Sequence, residues 1–579
     1  MTVSIVRRRI APDVGETPCL PGPAHPLLDR IYKARGVTQP EQLVRTLDSL
    51  IPGSLMKGMD EATRLLAEAV SQQQSIVIVG DFDTDGATSV ALAVLALKAM
   101  GATRLDFLVP DRFRYGYGLS AEIVETLCAR AVPDLLITVD NGISSIEGVA
   151  AARAANIKVL VTDHHLAGDE LPQADAIVNP NQPGCPFPAK NTAGVGVIFY
   201  VLCALRTRLD SLGWFSDKPK PNMAQFLDLV ALGTVADLVG LDTNNRILVH
   251  QGMSRIRALQ TRPGILALAD VARRDPARLE TADLGFALAP RLNAAGRLES
   301  MSVGIELLIT DAPLHAYQLA CQLDQINRER RTIETRMKEE ALSEIEQIHT
   351  DDTATLPWGL CLFRDHWHQG VLGILASRLK EKLHRPVITF ACGREGEIKG
   401  SARSIPGFHM RDALARIEGL SPGLLLKFGG HAMAAGLSLR QHDFPRFASA
   451  FDQIVRQQLT EDQLQARLFT DGSLSDSELN LATAELLRTA GPWGQQFPEP
   501  VFDGLFTVKE QRIVGNNHLK MQLMPMNSRL CLDAIWFNVD TCLWPDDTIG
   551  QVRLVYRLNT NVFRGSYSLQ LMVEHLEVT

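Results

Sequence analysis

Residues 81 to 86, "DFDTDG", set three aspartates at every second position behind an apolar, β-branched run, "SIVIVG", and close them with a glycine. Carboxylates so spaced bind divalent cations, and D-x-D-x-D-G is also how an EF-hand calcium loop begins. The calcium reading fails on the count. With Asp81 as position 1, position 12 is Leu92, where the loop needs a bidentate Glu, and the preceding residues read as a strand rather than a helix. Two later apolar runs end in similar side chains: "LLITVD" in Asp140, and "VLVTDHH" in Asp163, His164 and His165. Taken singly these have ordinary explanations, Asp140 before "NGISS" as a helix N-cap and D-H-H as a satisfied loop. Their joint meaning depends on the elements that carry them.

Those elements alternate. "SIVIVGD", "RLDFLVPD", "DLLITVD", "KVLVTDHH" and "DAIVNP" read as strands, and "GATSVALAVLALKAMGA", "SAEIVETLCARAV" and "SSIEGVAAARAAN" as helices between them. Strands without polar alternation, separated by helices, imply a doubly wound α/β domain with a parallel sheet covered on both faces. In such a sheet ligands bind beyond the carboxyl ends of the strands. Asp81, Asp83, Asp85, Asp140, Asp163, His164 and His165 are therefore expected along one edge. Carboxylates so close repel unless a cation sits among them. A mixed oxygen and imidazole set favours manganese or magnesium over zinc. Two ions can be held, bridged by a carboxylate such as Asp140 at roughly 3.5 to 4 Å, to activate water and clamp the attacking and leaving oxygens of a phosphoester.

The rest of the 579-residue chain suggests three or four domains. Residues 193 to 310 read mainly as helices, and a charged, Gly- and Pro-free stretch from Ala312 to about His349 reads as a long helix bridging two domains. A second, smaller α/β unit runs from "WGLCLF" to about residue 455, and five short alternating runs after residue 500 suit an OB-type barrel. The expected division is 1–310, the connecting helix 311–349, 350–457, and 458–579 with a helical segment before the barrel. A net charge of −8 argues against coating nucleic acid by bulk electrostatics but leaves room for a local basic channel. Nine cysteines without a C-x-x-C pair, no apolar run long enough for a bilayer and no apolar core behind "MTVSIVRRR" predict a reduced, cytoplasmic protein without a signal peptide or membrane association.

In order, "DFDTDG", "TVDNG", "TDHH" and "GTVAD" resemble the four motifs of the DHH phosphoesterase superfamily, and "GGHAMAAG" at 429 to 436 resembles the signature of its associated DHHA1 domain. With "APRLNAAGRL" and the barrel, the resemblance covers nearly the whole chain. It implies that Asp81, Asp83, Asp85, Asp140, His164 and Asp237 ligate two Mn2+ or Mg2+ ions, with Asp163 close by and His165 at the metals or the scissile phosphate. The sheet argument alone does not find Asp237. The resemblance is closest to the members that digest single-stranded DNA from the 5′ end to 5′-mononucleotides in recombination and in mismatch, base-excision and recombinational repair. It implies a single-strand-binding protein and a helicase as partners, and a monomer.

"PRLNAAGR" places Arg291, Asn293 and Arg297 among small residues, where a guanidinium could neutralise developing charge; a helix cap with surface arginines is the plainer account. In the second domain the resemblance implies that Arg378, Ser401, Arg403, Gly429, Gly430 and His431 contact the nucleic-acid backbone; for the glycine run by itself a tight turn packed on a helix is the better account. On the barrel, acidic residues slightly outnumber basic ones, so binding would rest on a local face with Arg512, Lys520, Arg557 and Arg564, and Trp536, Phe537 or Tyr567 for stacking. Two other functions fit parts of the pattern: a DHH phosphodiesterase acting on oligoribonucleotides or cyclic dinucleotides, and a non-catalytic single-strand-binding scaffold.

Overall fold

Three apolar strands end in register, and this alignment sets the geometry of everything that follows. The computed structural model describes residues 3–10, 25–111, 115, 118–350, 356–394, 396–546 and 548–579. After β1 (Val3–Arg7), the strands β2 (Ile76–Gly80), β3 (Leu105–Leu108), β4 (Leu135–Val139), β5 (Lys158–Thr162) and β6 (Ala176–Val178) form a sheet in the order β3-β2-β4-β5-β6. Every neighbouring pair is parallel. β2 and β4 are buried at every residue, as apolar strands covered on both faces must be. Ile78 and Ile137 lie at the centre with no exposed surface, so truncating either to Ala would cost about 2–5 kcal/mol.

The chain leaves β2 towards β3 on one side and returns to β4 on the other. The strand order therefore reverses between β2 and β4, and a crevice opens at their carboxyl ends. Gly80 pairs with Val139, and Val139 with Thr162. The next residues along the three strands are Asp81, Asp140 and Asp163.

Helices complete this lobe. Thr84–Ala99 is mostly buried, and against it pack Gly194–Ser211 and Leu227–Ala236; the last is almost wholly apolar and ends at Asp237. A π-helical turn, Leu284–Leu288, runs directly into the helix Ala289–Leu298.

A smaller sheet is built from β7 (Leu360–Phe363), β8 (Val387–Cys392), β9 (Glu397–Arg403), β10 (Lys427–Gly430) and β11 (Ala434–Arg440), in the order β10-β11-β9-β8-β7. Only β7 and β8 run parallel. In β9 and β11 burial alternates, and one face packs on Phe390, Phe447 and Phe451. A short strand, β12 (Ala466–Thr470), pairs with β1. The remaining strands, β13 (Phe502–Val514), β14 (His518–Pro525), β15 (Leu532–Trp536), β16 (Gln551–Phe563) and β17 (Ser566–Val578), close a barrel in the order β13-β14-β15-β17-β16. β15 and β17 are its one parallel pair.

Two compact units result: Arg7–Asp324 with Phe469–Thr579, which joins the large lobe to the barrel, and Gln325–Leu468 with the N-terminal strand up to Val6. The helix Pro313–Thr350 begins in the first and continues into the second.

Candidate metal centre

Asp83 caps the helix Thr84–Ala99 by accepting the Gly86 N–H at 3.0 Å. A Cβ on Gly86 would lie 2.5 Å from the Asp81 carbonyl oxygen, so only glycine lets the "DFDTDG" loop fold back on its own helix. Asp85, buried two residues further on, accepts the N–H groups of Gly194 at 2.7 Å and Val195 at 3.0 Å. Those donors are the head of the helix Gly194–Ser211, where unsatisfied N–H groups favour an anion. Residue 194 must be small for the same reason: a Cβ there would meet the Asp140 carboxylate at 2.6 Å.

Asp140 takes a left-handed backbone, φ 61°, uncommon for a residue with a side chain. Beside it, the Asn141 amide donates to the carbonyls of Val79 and Val139 and ties the ends of β2 and β4 together. His164 Nε2 lies 3.1 Å from Asp140 Oδ1 and 3.5 Å from Asp237 Oδ2. Asp163 points the other way. Its Oδ2 accepts the Ile143 N–H, and its Oδ1 accepts the N–H groups of His164 and His165 and sits 2.7 Å from His165 Nδ1.

Three groupings of ligand atoms come within 4.8 Å of one another: Asp81, Asp83 and Asp140; Asp85, His164 and Asp237; and Asp140, His164 and His165. Burial, then the charge of Asp83, pushes Asp85 up to about 7 in spite of its two N–H donors and the nearby His165. Burial and the charges of Asp85 and Asp83 raise Asp140 and Asp237 well above the usual carboxylate range. His165 goes the opposite way: burial disfavours its charge, but the bond to Asp163 together with the charges of Asp163, Asp237 and Asp81 outweighs this and raises it to about 9. Carboxylates that cannot all ionise together, next to imidazole and with no thiolate among the groupings, are a donor set suited to hard divalent cations.

Family models match the chain at residues 75–234 (DHH family, N-terminal domain), 357–457 (DHHA1 domain) and 470–575 (RecJ OB domain). It is 52% identical over 573 residues to the single-stranded-DNA-specific exonuclease RecJ of Escherichia coli (strain K12), covering 99% of this chain and 98% of that protein. This chain belongs to the RecJ family. The RecJ of Bacillus subtilis (strain 168) is 34% identical over 90% of this chain and 64% of its own length. The crystal structure of RecJ in complex with Mn2+ from Thermus thermophilus superposes with a TM-score of 0.78 at 28% identity, over 96% of this chain and 76% of that one. The same relative in complex with Mg2+ gives 0.73. Both of these structures hold divalent cations of the kind this donor set suits.

Around the centre, "PRLNAAGR" is positioned more closely than its sequence reveals. Asn293 bonds the first residue of the Thr84–Ala99 helix, and a Cβ on Gly296 would lie 1.8 Å from the Phe82 carbonyl oxygen. The helix Ala289–Leu298 is thus laid flat against the aspartate loop. Arg297 stands half-buried in its last turn. Arg291, one of the guanidinium groups expected to neutralise developing charge, is buried, paired with Asp324 at 2.8 Å and bonded to the Ala287 carbonyl. A buried arginine holds such partners because leaving them would strand a charge.

Gly194, Gly233 and Gly296 carry no chemistry of their own, and sequence reasoning passed over them as site residues. Gly233 lies in "GTVAD", where a Cβ would come within 2.8 Å of Asp85 Oδ1. The available signal was the run of small residues beside each motif.

The second-domain residues belong to the other unit. Register sets Ser401 beside Gly436 and Gly436 beside Gly429 across three strands. Arg403 donates to Ser401 Oγ at 3.3 Å, and a Cβ on Gly373 would come within 2.7 Å of its guanidinium. Gly430 has φ 138°, and the His431 N–H donates to the Ala434 carbonyl. Arg378 is ion-paired with Glu334 and Glu381. On the barrel, Lys520 pairs with Asp533, Arg557 with Glu499 and Glu574, and Trp536 packs edge-on against Trp544; Phe537 and Tyr567 are exposed. Arg512 lies across from Lys520 in register, and Arg564 has φ 51° beside the β16–β17 turn.

Proposed function

We propose that this chain is a single-stranded-DNA-specific exonuclease that hydrolyses phosphodiester bonds with two divalent cations, working from the 5′ end and releasing 5′-mononucleotides. The observation that carries the reading is the set of three ligand groupings, linked by Asp140 and His164, each of which belongs to two of them, beyond the ends of aligned strands. Asp81, Asp83 and Asp140 would hold one Mn2+ or Mg2+, and Asp85, His164 and Asp237 the other. Bound there, the cations supply Lewis acidity and charge neutralisation for phosphodiester hydrolysis.

The chain's own residues do the rest. His165, with its Nδ1 2.7 Å from Asp163 Oδ1, is held in position to offer its ring to a non-bridging phosphate oxygen. Asn293 and Gly296 hold the aspartate loop in place, and Arg297 is the guanidinium assigned to developing charge. Ser401, Arg403, Gly429, Gly430 and His431, with Arg378 at the side, are assigned to the strand's backbone, and the barrel to its continuation. A cytoplasmic monomer working in repair with a helicase and a single-strand-binding protein completes the proposal.

The test is the purified chain with Mn2+ or Mg2+, given 5′-labelled single-stranded DNA, duplex DNA and short RNA. Labelled mononucleotide from single-stranded DNA alone supports the proposal. Activity confined to short RNA selects an oligoribonucleotide phosphodiesterase, and binding without cleavage selects a scaffold.

A further inference from the structure

The helix that braces the aspartate loop also carries an exposed aromatic ring. Phe286 stands in the π-helical turn that leads into Ala289–Leu298, and at 75% exposure it is the most exposed large apolar side chain among the described residues. Leu238, 62% exposed and adjacent in sequence to Asp237, lines the same cavity. Apolar side chains gathered at the surface of a folded lobe mark a place where something binds.

Phe286 precedes Asn293 by seven residues, two helical turns or about 10 Å along the axis. Asn293 is itself bonded to Thr84, between Asp83 and Asp85. The ring thus stands on the same helical segment that braces the loop carrying Asp83 and Asp85.

Behind the two side chains is a cavity of about 290 Å³, walled by Val235, Met253 and Trp493 and containing Glu280, with Arg257 and Arg488 among its lining. Burial, together with Glu499 and Asp283, raises Glu280 to about 7, and burial with Arg45 and Arg257 lowers His250 to about 4. The interior sets apolar walls beside a carboxyl, an imidazole and two guanidinium groups, so it offers hydrogen-bonding partners. Through Glu280, Ala282, Arg488, Trp493 and Glu499 the cavity is continuous with a groove of about 690 Å³ that reaches Phe537, Asn559 and Gln570 on the barrel. An exposed ring, a partly apolar slot with polar groups and flanking arginines form the chemistry that receives a nucleobase and its phosphate.

We propose that Phe286 and Leu238 form a stacking platform for a nucleobase of the substrate strand, a few nucleotides in from the cleaved bond, with the edge of that base entering the cavity beyond. The inference rests on the single-strand exonuclease reading. The platform positions the strand and touches none of the reacting atoms.

The test uses the full chain and its Phe286→Ala, Phe286→Trp and Leu238→Ala variants. Oligodeoxynucleotides carrying 2-aminopurine at successive positions from the 5′ end are titrated without divalent cation, so that nothing is cleaved. One position should be quenched on binding to the wild type, released in Phe286→Ala and quenched again in Phe286→Trp. With Mn2+, Phe286→Ala should raise KM about 5- to 100-fold with kcat within about twofold, since stacking energy is lost without disturbing the chemistry. Leu238→Ala should change KM in the same direction by less. An abasic nucleotide at the responding position should erase the difference between wild type and Phe286→Ala. The proposal is overturned if no position responds, or if Phe286→Ala keeps the wild-type KM. Failure of the wild type to digest single-stranded DNA overturns the exonuclease reading instead, and the two failures are told apart by the titration.

Discussion

Asn293 accepts two hydrogen bonds from Thr84, one from the backbone N–H and one from Oγ1, both at 2.8 Å. That N–H is among the donors at a helix head that have no partner within the helix. Asn293→Ala strands it, at a cost of about 1–3 kcal/mol, and loosens the loop between Asp83 and Asp85. The half-saturating Mn2+ concentration should rise about 10- to 100-fold, as when the partner of a metal ligand is removed. Activity and thermal-shift titrations read it, and an unchanged Mn2+ requirement would show that the bond does not hold the loop.

Asp140 belongs to two of the three ligand groupings. Asp140→Ala should therefore lower activity more than about a hundredfold. Without metal the same change relieves repulsion among Asp81, Asp83, Asp85 and Asp237, so in EDTA the variant should melt a few degrees higher than wild type. Mn2+ should stabilise the wild type more than the variant, which keeps Asp85, His164 and Asp237 but loses the ligand of the other grouping. Calorimetry with EDTA and with Mn2+ gives both signs, and an active variant would remove Asp140 from the site.

Glu485 gathers Arg278 of the large lobe at 2.6 Å, Arg488 of its own helix at 2.8 Å and Thr560 of β16 at 2.7 Å. Burial opposes the charge, but these three donors lower the carboxyl to about 2. The folded value lies below the ordinary 4.5, so the stabilisation is present above pH 4.5 and is lost as the pH falls towards 2. Glu485→Ala should cost about 1–3 kcal/mol in urea unfolding at neutral pH and make the barrel more susceptible to limited proteolysis. Equal proteolysis of variant and wild type would count against the contact as a clamp.

Glu280 titrates with the opposite consequence. Its folded value, about 7, lies above the ordinary 4.5 because of burial and of Glu499 and Asp283, with Arg488 and Arg257 opposing. Between pH 4.5 and 7 the folded chain holds a proton that the unfolded chain releases, so stability falls as the pH rises through that window. The change is roughly 2–3 kcal/mol. Glu280→Gln should flatten this part of the profile, and urea melts of both proteins at about pH 5 and about pH 8, on either side of the window, compare them.

How much of this was legible in the sequence depended on whether a feature was topological or a matter of packing. Asp81, Asp140 and the D-H-H residues could be placed together because parallel strands carry their last residues to one edge whatever packs around them. The five barrel strands showed in alternation alone. Asp237 closes a helix outside the sheet, so no strand rule points to it; only the resemblance of "GTVAD" did. The burial of Arg291 was not legible because Asp324, its partner, lies 33 residues away on another helix. Gly194, Gly296 and the exposed ring of Phe286 were invisible for the same reason: what they meet, or fail to meet, is decided by neighbours distant in sequence.

The barrel's strand order has a consequence during synthesis. β17 is inserted between β15 and β16, parallel to one and antiparallel to the other, and it leaves the ribosome after both. Until it arrives, β15 and the 13-residue β16 each present an unpaired edge, the kind of template on which chains join one another. A message cut short within β17 would therefore yield a product that aggregates or is degraded, rather than a soluble enzyme that merely grips its strand less well.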